Sequence, residues 1–195
     1  MSIYPHAQFL ISAASAEQFP PDQGTEVAIA GRSNAGKSSA INAITARRAL
    51  ARTSKTPGRT RLLNFFELAP GKRLVDLPGY GFAEGSPVER DTWARLIDAL
   101  ALRESLIGLL LVVDARRGLL PGDGEFLAWA DQHRRRVHVL LSKADQLKRQ
   151  EATALLGRAQ QQLTGCATVQ LFSARAGQGI EAARATIDDW LTPTP

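Results

Sequence analysis

The stretch that decides the fold is Gly31-Arg32-Ser33-Asn34-Ala35-Gly36-Lys37-Ser38. It matches the pattern G-x-x-x-x-G-K-[ST], in which glycines let successive backbone N–H groups converge on the oxygens of a phosphate. An apolar run over residues 25–30 predicts a strand before this phosphate loop, or P-loop, and residues 37–47 predict a helix after it. In that setting we expect Lys37 to reach the β- and γ-phosphates of a nucleotide and Ser38 to bind Mg²⁺. The alternative is a glycine-containing turn in front of an amphipathic helix.

A second segment with nucleotide chemistry is Asp76-Leu77-Pro78-Gly79, which follows an apolar strand. In phosphate-loop enzymes an acidic residue at the end of a strand typically holds the water shell of Mg²⁺. The N–H group of Gly79 can donate to the γ-phosphate, so that hydrolysis would release this metal-side segment. On its own the pattern also fits an ordinary turn after a strand.

A preference for one base is predicted by Ser142-Lys143-Ala144-Asp145, at the end of another apolar strand. The Asp145 carboxylate can accept hydrogen bonds from both N1–H and the 2-amino group of guanine, a donor pair that adenine lacks. In this base segment the stem of Lys143 would cover the base, and Ser142 stands where Asn or Thr is usual. The alternative is an exposed turn. A closing segment, Phe172-Ser173-Ala174, follows the last predicted strand and would place its backbone against the base.

Residues 49–61 are polar and contain Pro and Gly, which predicts a loop. A guanine-nucleotide switch needs a threonine in such a loop to complete the Mg²⁺ shell in the GTP state. Thr53, Thr56 and Thr60 are all candidates, and spacing alone does not choose among them.

The predicted strands alternate with predicted helices, which is typical of an α/β fold with a mostly parallel sheet. We predict six strands, with one antiparallel edge formed by a hairpin at residues 69–71. The strands are expected near 25–30, 61–68, 72–77, 107–113, 137–142 and 168–172. The helices are expected near 37–47, 91–103, 122–134, 148–163 and 178–191. We expect residues 25–191 to form a single domain, residues 1–24 an extension packed on it, and residues 192–195 a frayed end.

Composition and charge predict a globular protein with an anionic partner. The 195 residues are 44% hydrophobic and carry a formal net charge of +5. No apolar run approaches the ~20 residues that cross a bilayer, no secretion signal is apparent, and Cys166 is the only cysteine, so we expect a cytoplasmic protein without a membrane contact. The basic segment, residues 47–61, contains no acidic residue, which favours contact with an RNA backbone. Arginines at 116–117 and 134–136 form further clusters, although the second also suits the end of a helix.

Residues 31–39, 55–60 and 76–81 together resemble the EngB (YihA/YsxC) family of bacterial GTPases, within the TrmE-Era-EngA-EngB-like superfamily. The resemblance extends over nearly the whole chain. It implies a Ras-like P-loop GTPase fold of three layers that binds GTP and GDP with Mg²⁺ and hydrolyses GTP. It also implies a role in late assembly of the large ribosomal subunit, with its rRNA as partner, and in cell division and septation. We expect the protein to be a monomer.

The resemblance assigns the remaining site residues. The switch segment of the family falls on Gly58, Arg59, Thr60, Arg61 and Leu62, which makes Thr60 the Mg²⁺ ligand beside Ser38. Arg61 stands where many members carry Gln. Lys37 and Thr60 are then the residues expected to act in catalysis.

Hydrolysis is expected to be slow, because no Gln or Glu follows Gly79 until Glu84 to orient the attacking water. Asn34 suggests one remedy, since related GTPases with Asn at this position use a bound K⁺ in place of an arginine finger. The alternative is that Asn34 only forms hydrogen bonds within the loop. Activation by the ribosome is compatible with both. A competing function is an RNA- or ribosome-binding module with vestigial hydrolysis, although the intact metal ligands favour an enzyme.

Overall fold

The structure, a computed structural model, describes residues 2–51, 62–80 and 87–192, with the backbone alone at 87–90. The seven strands of these residues are β1 Gln8–Ala13, β2 Thr25–Gly31, β3 Leu63–Ala69, β4 Lys72–Asp76, β5 Leu106–Asp114, β6 Arg136–Ser142 and β7 Thr168–Leu171. The α-helices within the described ranges are α1 Lys37–Ile44, α2 Pro87–Ala101, α3 Pro121–Gln132, α4 Arg149–Gln162 and α5 Ile180–Leu191. None of the described helices is long and apolar enough to cross a membrane.

One sheet contains all seven strands, in the order β1-β3-β4-β2-β5-β6-β7. The pairs β1–β3 and β3–β4 are antiparallel, and every other pair is parallel. Among the described strands, β3 therefore runs alone against the direction of the rest. The mostly parallel α/β fold is confirmed, but the predicted count of six strands is wrong by one. The antiparallel hairpin strand lies inside the sheet because β1 covers it.

Strand β1 was missed because its sequence lacks the alternation of a half-buried strand. Phe9, Leu10 and Ile11 are consecutive apolar residues, and all three are exposed on this edge strand. A pattern of period two is what makes a strand recognisable, and here the pairing with β3 is made by the backbone instead.

Two hydrophobic cores lie on opposite faces of the sheet, which gives the predicted three layers. Helices α2, α3 and α4 contribute to one core, and α1 and α5 contribute to the other. Strands β2, β5 and β6 are buried on both faces, as their continuous apolar runs predict. In β5, a Cβ at Gly108 would lie 2.5 Å from the ring of Trp190, so glycine lets α5 pack directly on the sheet.

The predicted helices are all present with shifted ends. The first ends at Ile44 instead of residue 47, because Ala46 has a positive φ of 54°. Helix α2 begins and ends earlier than predicted, and proline at its first position fits a helix start. Helix α3 begins at Pro121, where the Asp123 carboxylate accepts a hydrogen bond from the Leu120 N–H at 2.8 Å. Cys166, between α4 and β7, is exposed.

Candidate nucleotide-binding site

The predicted site segments meet at one edge of the sheet. The strands β2, β4, β5, β6 and β7 run in the same direction, so the residues that follow their carboxyl ends lie side by side. Ligands of open parallel sheets bind at this edge. The structure thereby brings together the phosphate loop, the metal-side segment, the base segment and the closing segment.

The phosphate loop delivers the chain into the first turn of α1. Gly36 precedes the helix with a φ of 100°, a conformation that favours glycine, and Asn34 is also left-handed at 63°. No described side chain caps the start of α1. The first backbone N–H groups of a helix have no partner within the helix and favour an anion. The loop and the uncapped turn therefore fit a phosphate group.

Lys37 and Asp76 form an ion pair across the site. The Lys37 ammonium donates a hydrogen bond to Oδ1 of Asp76, and both side chains are nearly buried. Burial raises the pKa of the Asp76 carboxyl, and it outweighs the lowering effects of Lys37 and of a hydrogen bond from Asn64. A phosphate must therefore compete with Asp76 for the Lys37 charge.

The metal-side segment packs directly against the phosphate loop. A Cβ at Gly79 would lie 3.1 Å from the backbone nitrogen of Ser33, and the Ser33 N–H donates to the Tyr80 carbonyl at 3.4 Å. The Tyr80 hydroxyl donates to Oδ1 of Asp123 at 2.6 Å, and its ring stacks on Phe126. Burial, followed by the bond to Asp123, raises the pKa of Tyr80 well above its usual range. Tyr80 thus fixes the end of this segment to α3.

The base segment holds the phosphate loop from the other side. Ser142 is 3% exposed and donates from Oγ to the Ala35 carbonyl at 2.5 Å. Lys143 adopts a left-handed φ of 58° and donates from Nζ to the Asn34 carbonyl at 2.6 Å. The serine that replaces Asn or Thr therefore still contacts the loop.

Asp145 is oriented by the closing segment. Its Oδ1 accepts a hydrogen bond from the Ser173 hydroxyl at 2.6 Å, while Ser173 Oγ accepts one from the Ala176 N–H at 3.0 Å. The Ala144 N–H donates to the Phe172 carbonyl at 3.1 Å. Ser173 is buried and Asp145 is exposed, so a fixed hydroxyl orients an accessible carboxylate.

The switch segment is only partly described. Leu62 lies directly before β3 and is partly buried. Gly58, Arg59, Thr60 and Arg61 lie outside the described residues, as do most of the basic segment and the position of the threonine ligand. Ser38 lies in the first turn of α1, as predicted.

One arginine in each of two clusters, 116–117 and 134–136, has partners inside the protein. Arg135 donates to the carbonyls of Ala101, Arg103 and Leu106 at 2.6 to 3.2 Å, and Arg116 pairs with Asp114 at 2.6 Å. These two side chains therefore stabilise loops of the fold.

Sequence reasoning missed three polar residues around the site. Asn64 contacts Asp76 and accepts a hydrogen bond from the Ser12 hydroxyl at 2.6 Å. The Asp114 carboxylate accepts a hydrogen bond from the Lys143 ammonium, and the Asp123 carboxylate accepts one from the Tyr80 hydroxyl. Asp114 could have been found, because it ends an apolar strand at the same sheet edge as Asp76 and Ser142. Asn64 and Asp123 carry no such signal in the sequence. Strand pairing places Asn64 beside Asp76, and the start of α3 places Asp123 beside Tyr80.

Comparison with known proteins agrees with this geometry. A family model described as a 50S ribosome-binding GTPase matches residues 26–143. "Probable GTP-binding protein EngB" of Nitrosococcus oceani is 49% identical over 194 residues, covering 97% of both chains. The protein of the same name from Thiobacillus denitrificans is 48% identical over 190 residues, covering 96% of this chain and 92% of its own. The chain belongs to the EngB family of GTP-binding proteins. Membership of the EngB family implies a GTPase that binds GTP and GDP.

Solved structures show the same fold. A crystal structure of an EngB protein is 26% identical with a TM-score of 0.63, covering 86% of this chain and 98% of its own. Aquifex aeolicus Era bound to GDP and AlF4⁻ has a TM-score of 0.69 at 21% identity, covering 89% of this chain and 58% of its own. The second likeness concerns the fold alone. The Ras-like P-loop GTPase architecture expected for EngB is thus confirmed.

Proposed function

We propose that this EngB-family protein is a Mg²⁺-dependent GTPase of low intrinsic rate that acts in late assembly of the large ribosomal subunit. The observation that carries the nucleotide part is the contact between the base segment and the phosphate loop, through Ser142 and Lys143. That contact fixes the distance between the place for a base and the place for phosphates. The protein is proposed to work as a cytoplasmic monomer, and its loss is expected to disturb cell division and septation.

The phosphates are held by the loop N–H groups of residues 31–38 and by Lys37. Ser38 Oγ and Thr60 Oγ1 would ligate Mg²⁺, and Asp76 would hold its water shell; hydroxyl and carboxylate oxygens are ligands that suit this ion. Bound Mg²⁺ supplies charge that offsets the negative charge of the phosphates. Lys37 leaves Asp76 for the phosphate, which frees that carboxylate for the metal side.

Asp145 gives the preference for guanine. Its carboxylate accepts hydrogen bonds from N1–H and the 2-amino group, while Ser173 holds it in place. Adenine offers no such donor pair, so ATP would leave the carboxylate unsatisfied. Lys143 covers the base with its stem.

Hydrolysis in the isolated protein is proposed to be slow and to respond to K⁺. The side chain of Asn34 forms no hydrogen bond with any described residue, since its contact with Lys143 uses the backbone carbonyl. Among the described residues, the Asn34 side chain therefore has no local partner that would compete with a K⁺ ion. Turnover in KCl should exceed turnover in NaCl at equal ionic strength, and Asn34→Ala should remove the difference. Equal rates of the unaltered protein in the two salts would contradict this part.

The proposed partner is the rRNA of the large subunit. The description of the matching family model supports it, as does the basic segment 47–61. Arg116 and Arg135 are weaker candidates for RNA contacts than the basic segment, because their guanidinium groups already bond within the fold. Since the basic segment contains the predicted switch threonine, Thr60, nucleotide state would set the affinity of this segment for RNA.

Sedimentation with large ribosomal subunits tests this proposal. We expect the protein to cosediment with the subunits in the presence of a non-hydrolysable GTP analogue and to remain free with GDP. Replacing Arg47 and Arg48 by Ala should weaken cosedimentation without changing nucleotide affinity. Guanine-nucleotide binding without any subunit association would reject the ribosomal role and retain the GTPase. Subunit association that ignores the nucleotide, without turnover, would support the vestigial binding module.

A further inference from the structure

Asp114 lies at the carboxyl end of β5, beside the site but outside every motif. Its side chain is 7% exposed, and its carboxylate accepts hydrogen bonds from two basic side chains. Arg116 donates from Nε to Oδ1 at 2.9 Å and from Nη2 to Oδ2 at 2.6 Å. Lys143 donates from Nζ to Oδ2 at 2.9 Å. The Arg116 N–H adds a fourth bond to Oδ1 at 3.0 Å.

Lys143 is thereby held between two acceptors, Asp114 Oδ2 and the Asn34 carbonyl. A lysine side chain has four rotatable carbon bonds and loses much rotamer freedom when it is fixed. The charge-assisted hydrogen bonds of Lys143 to Asp114 and to the Asn34 carbonyl offset that loss before any nucleotide binds. The backbone supports the arrangement, because the Ala115 N–H donates to the Ser142 carbonyl at 2.9 Å.

We propose that Asp114 is a positioning residue for guanine-nucleotide binding, which fixes Lys143 in the conformation that covers the base and supports the phosphate loop. This inference rests on the proposed role of the base segment. Arg116 completes the arrangement by holding both oxygens of the carboxylate. The bond to Lys143 is what links the Asp114–Arg116 pair to the nucleotide site.

The charge of Asp114 is stable under the conditions of nucleotide binding. Burial opposes its ionisation, but the hydrogen bonds from Arg116 and Lys143 outweigh burial and keep the pKa of the carboxyl well below its usual range. Asp114 is therefore a constant anionic acceptor. A neutral amide in its place offers no charge to the Lys143 ammonium.

A double-mutant cycle tests the proposal, with fluorescent GDP as the probe. Asp114→Asn keeps the size of the side chain and is expected to weaken GDP about tenfold, the loss of one charge-assisted hydrogen bond. The affinity for IDP should fall by the same factor, because Lys143 is proposed to contact the plane of the base and Asp145 its edge. In a Lys143→Met background, which weakens GDP by itself, Asp114→Asn should have no further effect. Arg116→Ala should weaken GDP, whereas Arg117→Ala, an exposed neighbour without a side-chain bond among the described residues, should not.

The outcomes separate this inference from the proposed function. If Lys143→Met weakens GDP and Asp114→Asn does not, the positioning role is wrong and the base segment stands. If Asp114→Asn weakens GDP equally in both backgrounds, the effect does not pass through Lys143, and the inference is rejected. If Lys143→Met leaves GDP affinity unchanged, the proposed contact of Lys143 with the base fails, and this inference fails with it, while the role of Asp145 stands. Thermal melting of each variant identifies a loss of fold, and Asp114→Glu provides a second variant that keeps the charge.

Discussion

At the scale of single residues, the site segments were predictable because their chemistry demands particular residue types at fixed spacing. Lys37, Asp76 and Asp145 could be assigned from the sequence since phosphate, metal shell and guanine each need a given functional group. Asn64, which contacts Asp76 across paired strands, was not predictable, whereas Asp114 could have been found at the end of its apolar strand. Strand pairing brings both residues to the site.

The hydroxyl of Ser142 gives a prediction at this scale. Ser142→Ala removes the donor to the Ala35 carbonyl and leaves a buried acceptor unsatisfied, at a cost of about 1 kcal/mol. We expect GDP and GTP affinities to fall by the same factor, about fivefold, in a fluorescence titration. Ser142→Thr keeps the hydroxyl and should retain most of the affinity. Unchanged binding by the alanine variant would show that the contact is dispensable.

Gly79 gives a prediction that separates the two nucleotides. A Cβ there would press on the Ser33 backbone at 3.1 Å, so Gly79→Ala must shift the metal-side segment and the phosphate loop apart by a few tenths of an ångström. Since its N–H is proposed to bind the γ-phosphate, GTP affinity should fall about tenfold and GDP affinity should stay nearly unchanged. Gly124→Ala in α3 is the matched control, because its Cβ meets nothing within 4 Å. An equal loss for both nucleotides would contradict the assigned role.

At the scale of elements, the long apolar strands and their helices were predictable, and their ends were not. Helix ends depend on local events such as the positive φ of Ala46 and the Asp123 contact at Leu120, which periodicity does not encode. Strands β6 and β7, the last parallel pair, are joined by a polar contact that hydrophobic periodicity does not encode either. His138 on β6 bonds through Nδ1 to Thr168 Oγ1 at 2.6 Å and through Nε2 to Gln170 Oε1 at 2.9 Å.

The partners of His138 specify its neutral form. Gln170 donates from Nε2 to the Gly179 carbonyl at 2.7 Å, so its oxygen faces His138 and accepts the proton on imidazole Nε2. Nδ1 then accepts from the Thr168 hydroxyl. Burial lowers the pKa of His138, against the opposing effect of the bond to Gln170. The unfolded state therefore binds a proton more readily than the folded state does.

This difference predicts how stability changes with pH. Stability is lost as pH falls through the unfolded histidine value of about 6.5, by at most about 1.4 kcal/mol per pH unit for one group. His138→Gln should make the free energy of unfolding less dependent on pH between about 7.5 and 5.5, as measured by urea unfolding. Identical pH slopes for the His138 variant and the unaltered protein would refute this assignment.

At the scale of the whole molecule, the α/β class and the three layers followed from the alternation of strands and helices. The N-terminal strand did not, because β1 is an exposed edge that pairs through its backbone. A buried ionic group at the opposite end of β2 from the phosphate loop also escaped prediction. Glu26 is fully buried and accepts hydrogen bonds from Arg73 at 2.8 Å and from Arg103 at 2.8 and 2.9 Å.

The Glu26 group is expected to support the fold without affecting the chemistry. Glu26→Gln leaves Arg73 without its charge partner and leaves Arg103 with only Asp22 at 3.9 Å, which should lower the free energy of unfolding by about 3 kcal/mol. Nucleotide affinity at a temperature where the variant remains folded should be unchanged. Glu181→Gln, which breaks the surface pair with Arg184, should have little effect on unfolding. A Glu26 variant as stable as the unaltered protein would show that the arginines are satisfied by backbone carbonyls alone.

The central claim, that Asp145 makes this site a guanine-nucleotide site, is tested most directly by exchanging the base. Affinities for GDP, XDP and ADP should be measured for the unaltered protein and for Asp145→Asn. We predict that the unaltered protein binds GDP and neither of the others, and that the variant loses GDP by about a hundredfold and gains XDP, whose 2-oxo group accepts from an amide. ADP binding as tight as GDP, or a variant that keeps its preference for GDP, would contradict the account.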